Sequence, residues 1–376
     1  GLQQILPNAD LVQCPLADGG EGTLTAFQSA WGGALQWLTV SSVLGSPQPV
    51  AFYVGQVINP RIAVLEVAQI VGFTDGGIMA VPVAKRTTLG LGQLMQQLLN
   101  QGIRQFYIGL GGSSTNDGGA GLMVGLGVRL LDATGQQLPP TPQGLAQLAQ
   151  VDGSGLDPRL ADCHLTILSD VNSPLCGPQG ATHTFGPQKG LTDVAERDRI
   201  DRHLARFAVL AEQAFAELGC QNIQGLQTRP GTGAAGGLGF ALQLLGGTYT
   251  SGAQFIAELL DLPTQLQTVD WVITGEGRSD RQTLRGKVPW VVAQMAQAHR
   301  VPATLLSGAI ALDDAPLLAQ AFQSNVLSLA PGPHCCFPAS AAPSSPEDCC
   351  THAFAWLLKA GQQLGYQWLQ THASAP

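Results

Sequence analysis

Short apolar runs alternate with stretches of three- and four-residue apolar spacing along most of this chain. ADLVQCPL, RIAVLEVA, RQFYIGL, CHLTILSD, VDWVITGEG and PATLLSGA are brief and rich in β-branched or aliphatic residues, which predicts strands buried on both faces of a parallel sheet. Between many of them, LGLGQLMQQLLNQ, AERDRIDRHLARFAVLAEQAFAELG and PWVVAQMAQAHR return apolar residues at helical spacing, and two end near Gly or a basic residue. Alternating β and α elements predict an α/β protein with a largely parallel sheet. Two segments differ: WLTVSSVLGSPQPVAFYVGQV and GGTYTSGAQFIAELL carry turn residues and alternation that predict antiparallel pairing in a smaller or inserted module.

In open parallel sheets ligands gather at the carboxyl ends of the strands, so the strand exits are where chemistry is sought. They read PLADGGEGT, GLGGSSTNDGG, SDVNSPLCG and TGEGRSD, and each places an acid and small residues just past an apolar run. Composition narrows the candidates. With 376 residues, 45% hydrophobic but 12% charged, the chain has length for two ordinary domains and a sizeable core. Its net charge is −8 and it has no basic cluster, which disfavours nucleic acid as a partner. The longest apolar runs, such as AGLMVGLGVRLL, are broken by Gly and Arg and are too short for a membrane span.

The first residues, GLQQILPNADLVQCPLADGG, show no basic region before an apolar stretch and no initiator Met, so they read as a trimmed start without a secretory signal. Eight cysteines in this length form no disulfide framework and fit a reducing cytoplasm. His334, Cys335 and Cys336 are mirrored by Cys349, Cys350 and His352, but adjacent cysteines rarely face one ion and CxxC spacing is missing, which favours a loop with incidental thiols over zinc.

Glycine-rich turns between a strand and a helix expose amides that cradle phosphate oxygens. GLGGSSTNDGGAG fits, with Ser113, Ser114 and Thr115 as hydroxyl donors and Asp117 either orienting a metal-bound water or capping the next helix. GTGAAG at Gly231 to Gly236 matches a dinucleotide fingerprint formally, but polar NIQGLQTRP precedes it where a buried strand is required. It reads instead as a second anion-binding or close-packing turn. Asp18, Glu21, Asp170 and Asp280 stand in glycine-flanked exits and, if those converge, form an acidic cleft ready for Mg²⁺. Lys and Arg total only 18, so the placement of Lys189, Arg278 and Lys287 beside glycines points to ligand contact. His183 reads as structural. Walker, protein-kinase, nucleophile-elbow and HExxH motifs are absent from the sequence.

Five stretches then agree with one family. LADGGEGT, GLGGSSTNDGGAG, DVxxPLxG followed by FGPQKG, PGTGAAGGLG, and GEGRSDRQTLRGK together resemble the bacterial glycerate kinase family, in the expected order from Leu16 to Lys287. The resemblance implies two α/β domains with a largely parallel, Rossmann- or flavodoxin-like sheet, one interrupted by the other, and an active site in the cleft between them. On that basis residues 1–75 and 267–376 are expected to form a discontinuous domain and 76–266 an inserted one. It further implies ATP with Mg²⁺ as cofactor and glycerate and ATP as small-molecule partners; a homodimer is a further expectation.

Carried onto these motifs, the resemblance implies Asp18, Asp170 and Asp280 as candidates for Mg²⁺ and acceptor activation; from their shared place at strand exits, Asp18 and Asp170 are expected at the metal and Asp280, Asp170 and Lys287 in catalysis. Substrate and nucleotide binding would fall to Asp18, Gly19, Gly20, Gly111, Gly112, Ser113, Ser114, Asn116, Asp117, Lys189, Thr232, Gly233, Glu276 and Arg278. Phosphorylation of D-glycerate to 2-phosphoglycerate is the expected reaction. The 3-phosphoglycerate product, a related hydroxy acid, and a metabolite-binding homologue without turnover are the alternatives. Two departures bear on this: the chain begins after the family's DSFKG-like loop, and VNSPL puts Ser173 where Asn is usual, with Asn172 one residue early.

Overall fold

The computed structural model describes residues 1–55, 61–73, 77–323, 325–330, 334–335 and 352–372, with the side chains of 371 and 372 excepted. The chain divides into a larger unit, Leu16–Ile256, and a smaller one made of Gly1–Pro15 with Ala257–Pro376.

The larger unit contains strands β1 (Leu35–Ser41), β2 (Pro47–Gly55), β3 (Ile62–Glu66), β4 (Gln105–Gly109), β5 (Arg129–Leu131), β6 (Gln150–Asp152), β7 (His164–Leu168) and β8 (Thr248–Thr250). Six of them form one sheet in the order β1-β2-β3-β4-β7-β8, and β5 pairs with β6 apart from it. β3, β4, β7 and β8 run parallel, with Glu66 opposite Gly109 and Gly109 opposite Leu168, so these strand ends lie level with one another. All five residues of β3 are buried, as an unbroken apolar run demands when both faces are covered. The cover includes helix Leu89–Asn100, which buries Leu91, Leu94, Met95 and Leu98 at helical spacing. Helix Val194–Glu217 is capped by Asp193, which accepts from the Ala195 amide, and it buries Leu204, Phe207, Ala211 and Phe215. Each such Leu or Phe contributes roughly 1.5–3 kcal/mol by leaving water.

The expected hairpin is present: β1 and β2 pair antiparallel. The second antiparallel expectation is corrected, because β8 joins β7 in parallel and Gly252–Leu259 is helical. Ala253, Ile256 and Ala257 fall at helical spacing and are all buried, which decides the matter. ADLVQCPL forms no strand; Leu11 and Val12 are 45% and 61% exposed, so no neighbouring strand is gained by extending there. The boundary expected near residue 75 also moves. Residues 16–75 belong with the larger unit because β1, β2 and β3 share the sheet of β4.

The smaller unit holds a three-stranded parallel sheet of β9 (Val272–Ser279), β10 (Ala303–Ile310) and β11 (Val326–Ser328), ordered β11-β10-β9. Helix Val288–Ala298 links β9 to β10, and Ala293 packs with Leu305, Leu318, Phe322 and Val326. Helix Ala353–His372 closes the unit, with Trp368 stacked on Trp271 at 4.9 Å and an interplanar angle of 10°. GEGRS lies on the second half of β9, paired with β10 as far as Ser279 opposite Ile310, rather than in a loop beyond the strand.

Candidate active site

Main chain meets main chain at the exits of β4 and β7. The Gly111 amide donates to the Gly19 carbonyl at 3.0 Å, and a Cβ on Gly111 would stand 2.2 Å from the Gly20 Cα. Gly19 has φ +94° and lies against the Leu168 carbonyl, a conformation and an approach that only glycine permits. The loop at 18–20 is thus pressed onto the strand ends. Asp18 caps its own turn through the Gly20 amide at 3.1 Å. Asp170, just past β7, accepts from Ser251 Oγ at 2.6 Å and from the Ala253 amide at 3.1 Å. Burial raises the Asp170 pKa and the neighbouring Asp18 charge adds to the rise, while the Ser251 and Ala253 hydrogen bonds oppose it. Two of the expected carboxylates are therefore neighbours, and Ser251, not foreseen from the sequence, orients one of them.

Other residues named above form a buried scaffold instead. Asp117 is fully buried and accepts from the Thr88 amide and hydroxyl, both at 2.8 Å, and from the Gly119 and Gly121 amides. Burial pushes its pKa up against those bonds. It is a cap at the heart of the loop, held by four donors, three of them on one oxygen. Ser114 Oγ donates to the Val71 carbonyl, Asn116 Nδ2 to Thr182 Oγ1, and Thr232 Oγ1 to the Arg229 carbonyl. The PGTGAAGG turn lies directly on neighbouring loops: the Gly233 amide donates to the Ser173 carbonyl and the Gly118 amide to the Gly236 carbonyl. The glycine turn is closely packed.

Lys189 is 2% exposed, and its Nζ donates to Ser113 Oγ at 3.1 Å and to the Thr115 carbonyl at 2.7 Å. Beside it Arg86, 1% exposed, donates to the carbonyls of Ile78, Val81, Ser114 and Lys189. Sequence reasoning missed Arg86 because it looked for cations beside glycines. The available signal was a Lys-Arg pair after the apolar run IMAVPVA with no acid inside the stretch IMAVPVAKRTTLGLG.

Burial pushes the Lys189 ammonium down to about 7 from an ordinary 10.5, with Asp117 opposing and Arg86 assisting. Between those values the unfolded chain holds a proton that the folded chain has released, so stability rises with pH across that window and the burden is greatest below it. Wild type measured against Lys189→Met isolates this group. The stability of wild type relative to the variant is expected to climb by up to about 1.4 kcal/mol per pH unit above pH 7 in urea titrations. A difference that stays flat from pH 6 to 9 would rule this out.

In the smaller unit, Glu276 Oε1 accepts from Ser279 Oγ at 2.9 Å and from Thr283 Oγ1 at 2.5 Å, while Oε2 lies 3.6 Å from Lys287 Nζ. Asp280 accepts from the Gln282 amide at 2.7 Å, and Arg278 is exposed at the strand's end. The structure brings Glu276, Asp280 and Lys287 together here. Ser279 and Thr283 hold the glutamate, while Arg281 of the same stretch pairs with Asp314.

Among the described residues no three His, Cys, Asp or Glu side chains are grouped to hold a metal ion. Cys335 is a free thiol, whereas Cys336, Cys349 and Cys350 lie outside the described residues. His183 lies 3.6 Å from Asp198. Mg²⁺ that arrives with a nucleotide needs only one or two protein carboxylates, the phosphates and water supplying the rest. Asp18 and Asp170 suit that requirement, since each oxygen that accepts one hydrogen bond retains a second lone pair.

The sequence matches the Glycerate kinase family over residues 1–363. It is 40% identical to a glycerate kinase of Bacillus subtilis (strain 168) over 319 residues, covering 83% of this chain and 80% of that protein. It is 37% identical to the glycerate 2-kinase of Escherichia coli (strain K12), again covering 83% and 80%. A crystal structure from Salmonella typhimurium LT2, assigned as a glycerate kinase 2, superposes with a TM-score of 0.69 at 34% identity, covering 96% of this chain and 92% of that one.

Proposed function

Because this chain belongs to the glycerate kinase family, we propose that it transfers the terminal phosphoryl group of Mg·ATP to glycerate, favouring the 2-hydroxyl. It is an ATP-dependent phosphotransferase with an alcohol acceptor. The observation that carries the reading at the level of residues is the Asp18 and Asp170 pair. Asp170 follows β7, and the Asp18 loop is pressed onto the same strand ends, its Asp18 carbonyl against Gly252, which stands between the two residues that bond to Asp170.

Phosphoryl transfer passes through a loose transition state, so the protein's work is positioning and electrostatics more than covalent chemistry. Asp18 and Asp170 would hold Mg²⁺, which when bound neutralises charge on the phosphate oxygens. Arg86, with Lys189 adding its charge as the pH falls through about 7, gives the 113–117 loop a positive interior that favours an anion at its surface. Lys287, steadied by Glu276, supplies positive charge in the smaller unit. Arg278 matches a substrate carboxylate through its planar fork. Asp280, held by the Gln282 amide through one oxygen, keeps the other to accept the hydroxyl proton.

The direct test is a phosphorus NMR time course with D-glycerate and Mg·ATP, which reports ADP and the product isomer together. Appearance of 2-phosphoglycerate is expected; ADP without any phosphoglycerate would overturn the reading. Asp280→Asn keeps the Gln282 hydrogen bond but loses basicity. It is expected to slow turnover by roughly tenfold, a modest factor because the loose transition state leaves the base little to do. Unchanged turnover would remove Asp280 from the role of base.

A further inference from the structure

A cavity of about 1040 Å³ opens at the carboxyl ends of β9, β10 and β11 in the smaller unit. That is at or above the upper end of the roughly 300–1,000 Å³ typical of sites for drug-sized ligands. Glycerate is a three-carbon acid whose surface is almost entirely carboxylate and hydroxyl. It would leave most of this volume wet and most of the lining without a partner.

The lining changes across the sheet. On the β11 side it is apolar, built from Leu329, Ala330, Ala353 and Leu357. Toward β9 it is charged, with Arg278 and Arg281 beside Glu276, Asp313 and Asp314, so phosphates there would arrive with their Mg²⁺. The floor between carries Leu306 and Ile310 on β10, and Gly277, where an added Cβ would meet nothing within 4 Å. Arg281 is anchored to Asp314 at 2.9 Å while its side chain stays 63% exposed, so one edge of the guanidinium is fixed and the rest is open. Strands spaced about 4.8 Å apart make the width from β9 to β11 about 10 Å. A flat heteroaromatic base on a ribose spans such a gradient, apolar at one end and joined to phosphates at the other.

We propose that this cavity binds the nucleotide of ATP, with adenine on the β11 side against Leu329, Ala330 and Leu357 and the phosphates directed toward Arg278 and Arg281 at β9. The assignment rests on the kinase reading above and adds to it which unit holds the base. Arg278 then stands where the phosphates end and the glycerate carboxylate begins, so both ligands use the polar end of one cavity.

The test is photolabelling of the intact chain by 8-azido-ATP with Mg²⁺, followed by peptide mapping, beside direct titration of ATP into wild type and Leu357→Glu. Leu357 is 48% exposed on helix Ala353–His372 and lies outside the machinery assigned to the reaction, so the acidic variant is expected to fold. Label that ATP displaces is expected in β10, in β11 or at Ala353 and Leu357. The variant should bind ATP at least tenfold more weakly, with glycerate binding unchanged. Label on residues 109–121, or none that ATP displaces, or an unaltered ATP affinity in a folded variant, would overturn the assignment. Product formation is scored separately. Phosphoglycerate with label elsewhere sinks the cavity and leaves the kinase, whereas label in the cavity without phosphoglycerate sinks the kinase and leaves the cavity.

Discussion

Asp18→Asn is expected to lower kcat by roughly 10²–10³-fold while the thermal midpoint stays within about 1 °C of wild type. The two halves of that result follow from one geometry. Among the described residues the Asp18 side chain accepts one hydrogen bond, from the Gly20 amide at 3.1 Å, and an asparagine carbonyl accepts it equally well. What the substitution removes is charge beside Asp170, where a metal-bound phosphate would need it. The Mg²⁺ concentration giving half-maximal rate should rise along with the loss of kcat. A variant that lost activity only in step with its stability would show Asp18 to be structural. Asp170→Asn is the less clean change, because both Asp170 oxygens already accept and an amide would face the Ala253 amide donor to donor.

Arg86→Met is expected to cost the larger unit about 3–5 kcal/mol, seen as a fall of about 1 M or more in the urea midpoint. A guanidinium has five N–H donors. Five hydrogen bonds to carbonyls use them all: Val81 twice, and Ile78, Ser114 and Lys189 once each. The methionine would fill part of the space and leave those carbonyls unpaired in a site that is 1% exposed. Arg86→Lys is expected to recover less than half of the loss, because an ammonium on a flexible stem does not reproduce a planar fork. A midpoint within about 0.3 M of wild type for the Met variant would show that the carbonyls find other partners. Since Arg86 joins the segment at 78–81 to the loop at 114 and to Lys189, activity should fall before the fold does.

Much of the architecture was legible in the sequence because burial on both faces leaves an unmistakable trace. RIAVLEVA, RQFYIGL and CHLTILSD became β3, β4 and β7, and PATLLSGA became β10. ADLVQCPL is also largely apolar but made no strand; it holds one β-branched residue, Val12, and a strand is a property of its neighbours as much as of its residues. GGTYTSGAQFIAELL misled because three β-favouring residues precede a helical face, and the turn residues between them resemble a hairpin.

The site was legible as a set of motifs but not as inside and outside. Asp18, Asp170 and Asp117 all read as acids in glycine loops; only the fold shows Asp117 surrounded by four donors and the other two partly open. Lys189 likewise read as a ligand contact and is buried beneath the loop, touching Ser113. Arg86 left almost no trace, since its partners are main-chain carbonyls and those have no letter in a sequence.

The stacked indoles of Trp271 and Trp368 give the smaller unit an optical label of its own. Two such chromophores 4.9 Å apart couple their electronic transitions, so the pair should contribute a bisignate exciton band to the circular dichroism spectrum. Trp31 and Trp37 lie in the larger unit and contribute nothing to that band. Because Trp368 belongs to the closing helix and Trp271 immediately precedes β9, the couplet vanishes when the helix leaves the sheet. Melting of the two units can then be followed at separate wavelengths in one unlabelled sample.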